Sequence, residues 1–186
     1  MKKFMMAAVA LVCTVMMAMS MVSCGSDDNK GNTKKAPKQL NAAEVVYKSN
    51  ITGSIYDVCD VYVKYYDENG QEKTEKADEN WIKTFTVKKF PAMLGMSISL
   101  ERKKNAELTE QQYTINTNPS ISYTGIAVDG SKTGTPTSIA SKRFTSSPEA
   151  DRLDEHIENI CSTMIFHRKL HLDNEKTQLY WEEINE

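Results

Sequence analysis

Alternating apolar and polar residues near position 60 constrain the fold of this chain more than any other feature. In the stretch YDVCDVYVKYYDENGQ, every second residue from Cys59 to Tyr65 is apolar and falls on one face of an extended chain. The residues between them form the opposite face. This period of two, with many β-branched and aromatic residues, predicts a half-buried β-strand. The turn residues of Asp67–Gly70 predict that the strand opens a hairpin.

The same alternation recurs before and after this hairpin, and about seven strands are predicted in all. YTINTN and SISYTGIAVDG are two of these strands, whereas residues 129–147 are rich in Gly, Ser, Thr and Lys and predict a long loop, with one short strand in it as the alternative. Strands at this spacing with no long helix between them favour an antiparallel sandwich. The expected inward-facing residues of three further strands are Val45, Tyr47 and Ile51, then Trp81, Phe85 and Val87, then Met96, Ile98 and Leu100.

The C-terminal part of the chain changes to a helical period. The triplet Ser-Pro-Glu at 147–149 is typical of a helix start. Apolar residues, Cys161 among them, then recur at helical spacing from Leu153 to Met164. We therefore expect one amphipathic helix from about 148 to at least 162. The segments MIFHRKLHL and QLYWEEI beyond it fit either a closing hairpin or a longer helix followed by one strand.

The N-terminal segment predicts an export signal. Phe4–Val22 carries no charge and follows Lys2 and Lys3. Its length would suit a membrane span, but its position, the preceding lysines and the small residues at its end favour a cleaved signal. Met21-Val22-Ser23-Cys24 resembles a bacterial lipobox, which implies cleavage before Cys24 and attachment of lipid, palmitate included, to that cysteine. The alternative is an ordinary secretory signal with a chance cysteine.

The residues that follow Cys24 predict a location and a tether. The acidic cluster in Gly25–Asn29 is similar to the export signal of Bacteroidota surface lipoproteins. It implies a lipid-anchored protein of the outer membrane, exposed at the cell surface, with the periplasmic face as the alternative. Residues 29–39 are polar and rich in lysine, so they cannot bury enough surface to fold alone. The predicted organisation is a signal peptide at 1–23, lipidated cysteine and tether at 24–40, and a domain at 41–186.

Two stretches of the predicted domain resemble a known class of proteins. DVCDVYVKYYDENGQ, followed by a Trp-bearing strand in WIKTFTVKKFPA, resembles the small β-sandwich lipoproteins common in Bacteroidota. The resemblance covers about a third of the chain and implies an immunoglobulin-like or transthyretin-like fold. It carries no catalytic residues to transfer. The expected fold is therefore mainly β, an antiparallel sandwich with one C-terminal amphipathic helix.

Two cysteines, Cys59 and Cys161, remain in the mature domain. An exported protein meets oxidising conditions, so a disulfide between them is one expectation. It would close a loop of about 100 residues and contribute up to about 4.7 kcal/mol in the chain-entropy model. Two separate buried thiols are the alternative, because both positions fall on predicted core faces. Neither has the electropositive setting of a reactive thiol.

No catalytic or cofactor motif emerges from the sequence. His167 and His171 are four residues apart, but no third ligand follows at a fixed spacing, so neither a metal nor another cofactor is expected. Asp57 and Asp60 point to opposite faces of the predicted strand and cannot act as a carboxylate pair. The net charge is −2 and becomes −4 once the two lysines of residues 1–23 are removed, so nucleic acid is not an expected partner.

Tyr62 and Tyr66 are the residues that most suggest an activity. Both fall on the outer face of the predicted strand, where exposed aromatic rings can recognise sugars or proteins. The alternative is that the amphipathic helix covers this face. The sequence thus predicts a non-enzymatic envelope lipoprotein that binds a protein or glycan partner. Its alternatives are a structural or assembly subunit of an envelope complex, and a hydrolase whose site is assembled from distant residues.

Overall fold

The domain is mainly β, as the alternation predicts. The computed structural model describes residues 36–184. Its helical elements are α1 (Ile55–Val58), a 3₁₀ turn (Ala150–Arg152) and α2 (Leu153–Thr163). The strands are β1 (Leu40–Ser49), β2 (Ile51–Thr52), β3 (Cys59–Tyr66), β4 (Glu72–Lys76), β5 (Trp81–Val87), β6 (Ala92–Arg102), β7 (Ile115–Thr117), β8 (Ser120–Ala127), β9 (Lys132–Ser141), β10 (Phe144–Ser146), β11 (Ile165–Leu172) and β12 (Leu179–Glu183).

Two large antiparallel sheets make the sandwich. The four-stranded sheet has the order β5-β1-β8-β9, and the five-stranded sheet has the order β12-β11-β6-β3-β4. A small sheet of order β10-β7-β2 completes the described strands. In the five-stranded sheet, Cys59 lies opposite Arg102 and Tyr65 opposite Met96. Because directly opposed residues share a face, this register fixes which side chains point inward and which point outward.

The two large sheets share one apolar core. Tyr47 of β1 and Tyr65 of β3 lie with ring centroids 5.8 Å apart and tilted planes. The Tyr47 hydroxyl accepts a hydrogen bond from the Gly95 backbone N–H at 3.2 Å. Burial raises the pKa of Tyr47, so the phenol stays protonated. This side chain therefore joins the sheets through both an aromatic and a polar contact.

The inward faces match the sequence prediction. Alternate residues of β3 from Cys59 to Tyr65 are buried, and so are Met96, Ile98 and Leu100 of β6. Trp81 and Val87 of β5 are buried, and Phe85 packs against the core. A strong period of two marks these positions because one face of each strand meets the core while the other meets solvent.

The predictions for residues 129–147 and for the strand number are wrong. The segment contains all of β9 and all of β10, and the described residues form twelve strands rather than about seven. β9 pairs only with β8, at the edge of its sheet, and seven of its ten residues are exposed. A strand so placed buries few side chains, so polar Thr and Ser residues suffice and leave no apolar period to detect.

The helix begins later than its predicted start. Residues 147–149 are extended: the Pro148 carbonyl accepts a hydrogen bond from the Tyr113 N–H, and Glu149 bridges to Gln112. Neither the 3₁₀ turn nor α2 has a side-chain cap. The apolar side of α2 packs against the core as predicted, with Leu153 and Ile160 almost fully buried. After it, β11 and β12 form a hairpin, the first of the two alternatives.

The N-terminal predictions lie outside the described residues. They include the signal peptide at 1–23, lipidation of Cys24 and most of the tether at 24–40. β1 begins at Leu40, one residue before the predicted domain boundary. Within residues 36–184, no helix has both the length and the apolar character needed to cross a bilayer.

Candidate binding face

The outer face of the five-stranded sheet presents the two predicted tyrosines. Tyr62 of β3 lies opposite Ser99 of β6 and Lys76 of β4, so all three share the outer face. Tyr66 lies on the same side of β3, and both tyrosines are half-buried. Helix α2 packs Leu153 and Ile160 into the sandwich core, and its Cys161 lines the recess beside Tyr62. The helix therefore borders this face beside Tyr62, and both tyrosines keep part of their surface exposed.

A recess of about 600 Å³ opens beside Tyr62. Its volume falls in the range of roughly 300–1,000 Å³ that is usual for small-molecule sites. The rim combines an aromatic ring, aliphatic carbon and several hydroxyls. The residues that line it are Tyr62, Lys64, Thr74, Ser97, Ile98, Ser99, Glu101, Cys161 of α2 and Ile165.

A smaller hollow lies beneath Tyr66, and it exists because Gly95 has no side chain. A Cβ on Gly95 would lie 3.0 Å from the Tyr66 ring and 2.8 Å from the Phe166 carbonyl oxygen. The absence of a side chain thus lets the Tyr66 ring settle against the sheet. His167 of β11 lies opposite Gly95, and its ring meets the Tyr66 ring edge-on at 6.1 Å. These contacts fix the orientation of Tyr66 more firmly than that of an isolated surface tyrosine.

The recess and the hollow adjoin, because Lys64 and Ser97 line both. Together they form one groove along β3, which we call the β3 groove and define by Tyr62, Lys64, Tyr66, Ser97 and Ser99. The two tyrosines are four residues apart, a separation of about 13 Å along a strand. The groove is therefore elongated, with one aromatic ring near each end.

Ion pairs offset the two lysines that border the β3 groove, and the exposed Glu101 carboxylate adds a charge that none of the ion pairs within residues 36–184 offsets. The Lys64 ammonium lies 3.2 Å from the Glu72 carboxylate, and the Lys76 ammonium lies 2.8 Å from that of Asp60. The hydrogen bond to Asp60 raises the pKa of Lys76. Such exposed pairs add little stability, but each cancels a local charge. The groove thus offers hydrogen-bonding groups without a strong field of either sign.

Further apolar and aromatic side chains extend this face toward β12. Ile165 is 51% exposed and lies opposite Ser97, beside the groove. Tyr180, equally exposed, stacks on His171 at 4.9 Å with nearly parallel rings. Neither residue was predicted to belong to this face. The alternation in MIFHRKLHL was the available signal, since it places every second residue from Ile165 to His171 on one side.

The two histidines do not make a metal site with each other. His167 meets Tyr66, whereas the His171 Nε2 atom lies 3.1 Å from the Glu182 carboxylate. Four residues on one strand separate their backbones by about 13 Å. No group of three His, Cys, Asp or Glu residues that could hold a metal ion is found between residues 36 and 184.

Both domain cysteines are free thiols in the structure. Cys59 lies on the core face of β3 opposite Arg102 of β6. The Cys161 sulfur accepts a hydrogen bond of 3.4 Å from the Leu100 N–H, on the other edge of β6. Burial raises the pKa of both thiols, that of Cys59 to about 11. The arrangement is that of the second alternative, two separate thiols, and a bridge stays a prediction for the oxidised protein.

Comparisons with known proteins give no relative from which a role can be transferred. No family model matches the chain, and no curated protein and no solved structure matches it significantly. The chemistry of the β3 groove is accordingly inferred from its own residues.

Proposed function

We propose that this protein is a non-enzymatic cell-envelope lipoprotein that binds a protein or glycan partner through the β3 groove. Lipid on Cys24 anchors the chain in the outer membrane, and the sandwich domain is displayed at the cell surface. The observation that carries the proposal is the partly exposed outer face of the five-stranded sheet, where Tyr62 lines a recess of about 600 Å³ and Tyr66 lines the smaller hollow that adjoins it.

The composition of this face supports binding more than a stabilising role. Tyr62 and Tyr66 are outside the main core, whose aromatic members include Tyr47, Tyr65 and Trp81. Apolar groups left in solvent beside hydrogen-bonding groups are characteristic of recognition surfaces. A concave face framed by two aromatic rings provides both contact area and orientation for a ligand.

A retention experiment with the full-length protein tests this function. The protein is purified in detergent, immobilised and exposed to solubilised envelope extract. Retention of an extract component should fall sharply in Tyr62→Ala and remain unchanged in Ile82→Ala. Ile82 is a matched control because it is an exposed apolar residue on the outer face of the other sheet. Equal retention by all three proteins would contradict binding at the groove.

The proposed location has its own test. Protease added to intact cells should digest a surface-displayed domain, whereas a periplasmic marker protein should survive. Digestion only after the outer membrane is permeabilised would place the domain on the periplasmic face instead.

An assembly role through a sheet edge is the second candidate function. β12 lies at the end of its sheet, and its Tyr180 and Trp181 are 51% and 39% exposed. The guanidinium of Arg168 lies 5.4 Å from the centre of the Trp181 ring. An open edge with exposed aromatic residues suits pairing with a strand of another chain. Stable co-purification of an envelope protein, lost in Glu182→Pro but kept in Tyr62→Ala, would favour this role over binding in the groove.

A further inference from the structure

We infer that the β3 groove takes a neutral oligosaccharide, with a sugar ring stacked on each of Tyr62 and Tyr66. This inference rests on the proposed function, because it names the ligand class for the same groove. Four features carry it: the charge balance, the paired aromatic rings, the hydrogen-bonding groups between them, and the position of β3 inside its sheet.

The charge balance indicates an uncharged ligand. Lys64 is the ammonium that lines the groove, and Glu72 lies 3.2 Å from it. Lys76, on the neighbouring strand, is likewise paired with Asp60 at 2.8 Å. An anionic ligand would have to displace these carboxylates and would meet the Glu101 carboxylate in the same recess, whereas a cationic one would have to approach the Lys64 ammonium. A neutral ligand leaves both pairs in place.

The aromatic spacing indicates an extended ligand. Tyr62 and Tyr66 stand on the same side of β3, about 13 Å apart along the strand. This is the span of a short chain of sugar rings and exceeds that of a single monosaccharide. The C–H faces of a pyranose are apolar and pack against the face of an aromatic ring, which buries a large rigid surface at low entropic cost. Exposed Ile165 adds aliphatic contact beside the groove.

The groups between the rings match sugar hydroxyls. Lys64 can donate, Glu101 can accept, and the hydroxyls of Ser97 and Ser99 can do both. Each sugar hydroxyl also donates and accepts, so a mixed set of this kind can satisfy several hydroxyls at once. An apolar ligand would leave these polar groups desolvated without partners, which carries a free-energy cost.

The position of β3 argues against a bound peptide strand. β3 pairs with β4 on one side and β6 on the other, so its backbone groups are used within the sheet. A ligand on this face can contact only side chains. A standard protein interface buries about 800 Å² on each partner around an apolar centre. The β3 groove is instead concave, and hydroxyls and ion pairs border it.

Calorimetric titration of the full-length protein in detergent tests the ligand class. The probes are the hexasaccharides of glucose, xylose and mannose, with hexagalacturonate as an anionic comparison. We expect at least one neutral hexasaccharide to bind, with an affinity that does not fall as salt is raised, and hexagalacturonate not to bind. Binding of none of the neutral sugars, or of hexagalacturonate alone, would overturn the inference.

Variants separate ring stacking from an indirect effect. Tyr62→Ala and Tyr66→Ala should each weaken binding by roughly tenfold or more, as truncation of an aromatic anchor does. Tyr62→Phe should retain most of the affinity because it keeps the ring. Ser99→Arg should abolish binding by filling the recess from an exposed position that tolerates a long side chain. The Ile82→Ala control should bind like the parent protein, and an equal loss in that variant would refute the assignment.

Two pretreatments of the envelope extract distinguish failure of the sugar class from failure of the proposed function. Periodate destroys glycans, and protease destroys proteins. Tyr62-dependent retention that survives protease and disappears after periodate supports the inference. Retention that survives periodate and disappears after protease overturns the sugar class but leaves the proposed function standing. Absence of any Tyr62-dependent retention overturns both.

Discussion

Glu75 links the two large sheets at one edge of the sandwich through hydrogen bonds and an ion pair. Its carboxylate accepts hydrogen bonds from the Tyr65 hydroxyl at 2.6 Å and the Trp81 indole N–H at 3.1 Å. The Lys83 ammonium lies 2.6 Å from the same carboxylate and 5.4 Å from the centre of the Tyr65 ring. β4 carries Glu75 at the edge of one sheet, and β5 carries Trp81 and Lys83 at the edge of the other. Glu75 therefore joins the two sheets where no further strand covers them.

We expect Glu75→Gln to lower the free energy of unfolding at neutral pH by about 1–2 kcal/mol, because charge-assisted hydrogen bonds become neutral ones. The lower part of that range applies, since the Glu75 side chain is 38% exposed and water screens the pair. Urea unfolding of the two proteins measures the difference. Glu68→Gln, an exposed change in the adjoining turn, is the matched control and should leave the midpoint unchanged.

The same variant has a predictable pH dependence. The hydrogen bond from Lys83, followed by that from Tyr65, lowers the pKa of Glu75 below its ordinary value of 4.5. A carboxyl group with a lowered pKa stabilises the fold fully above that ordinary value and loses the contribution as the pH falls through the folded-state pKa. The gap in stability between parent and Glu75→Gln should therefore narrow below about pH 4.5. A gap that stays constant down to pH 2 would contradict this origin.

The two thiols provide a second prediction at the residue scale. Burial raises the pKa of Cys59 to about 11 and also raises that of Cys161, so little thiolate is present at neutral pH. Iodoacetamide should label the native protein slowly at both positions and rapidly once the protein is unfolded in urea. Intact mass without reductant checks the oxidation state. If the mass is lower by that of two hydrogens and the unfolded protein is not labelled in urea, Cys59 and Cys161 form the bridge instead.

At the scale of elements, strands that bury one face in the core can be predicted from the sequence, whereas a solvent-exposed edge strand cannot. β3, β5 and β6 could be predicted because alternate residues such as Val61 and Ile98 are fully or almost fully buried. β9 could not, because an edge strand of Thr and Ser buries too little to show a period. The helix start was misplaced because the backbone at 147–149 pairs with distant residues. Such long-range pairing leaves no local trace in the sequence.

The candidate binding face likewise has one part that the sequence predicts and one part that it does not. Tyr62 and Tyr66 could be placed on one outer face from β3 alone, because the period of two assigns faces within a strand. The neighbours from other strands could not, since the register of β6 and β11 determines that Gly95 and His167 meet Tyr66. Whether the helix would cover the face also depended on tertiary packing. Composition carries no information on that packing.

Helix α2 supports a prediction about the core. Ile160 is fully buried on its apolar side, so Ile160→Ala removes apolar contacts and leaves a cavity. We expect the free energy of unfolding to fall by about 2–4 kcal/mol. Glu158→Ala, on the exposed side of the same helix, should change it by less than about 0.5 kcal/mol. Urea unfolding of both variants compares them, and a similar small effect in each would mean that α2 contributes little to the core.

At the scale of the whole molecule, the proposed function assigns binding to the sandwich domain and location to the lipid anchor. The domain has a core that joins both large sheets in one apolar cluster. A domain of about 150 residues buries roughly 68–70% of its chain surface, which is enough for independent stability. In the function that we propose, the lipid anchor determines only where the β3 groove is presented. Binding and location should consequently be separable by mutation.

Replacement of Cys24 by Ala provides that separation. One acyl chain binds a membrane only marginally and several bind it stably, so loss of the lipidated cysteine should move the protein from the membrane pellet to the soluble fraction or leave an unprocessed precursor. Cell fractionation and incorporation of labelled palmitate measure the effect. Cys13→Ala, a change within the predicted signal, is the control and should remain lipidated. Persistent labelling of Cys24→Ala would refute the lipobox assignment.

If a soluble Cys24→Ala protein still binds the ligand of the parent chain, recognition lies in the sandwich and the lipid serves only to place it.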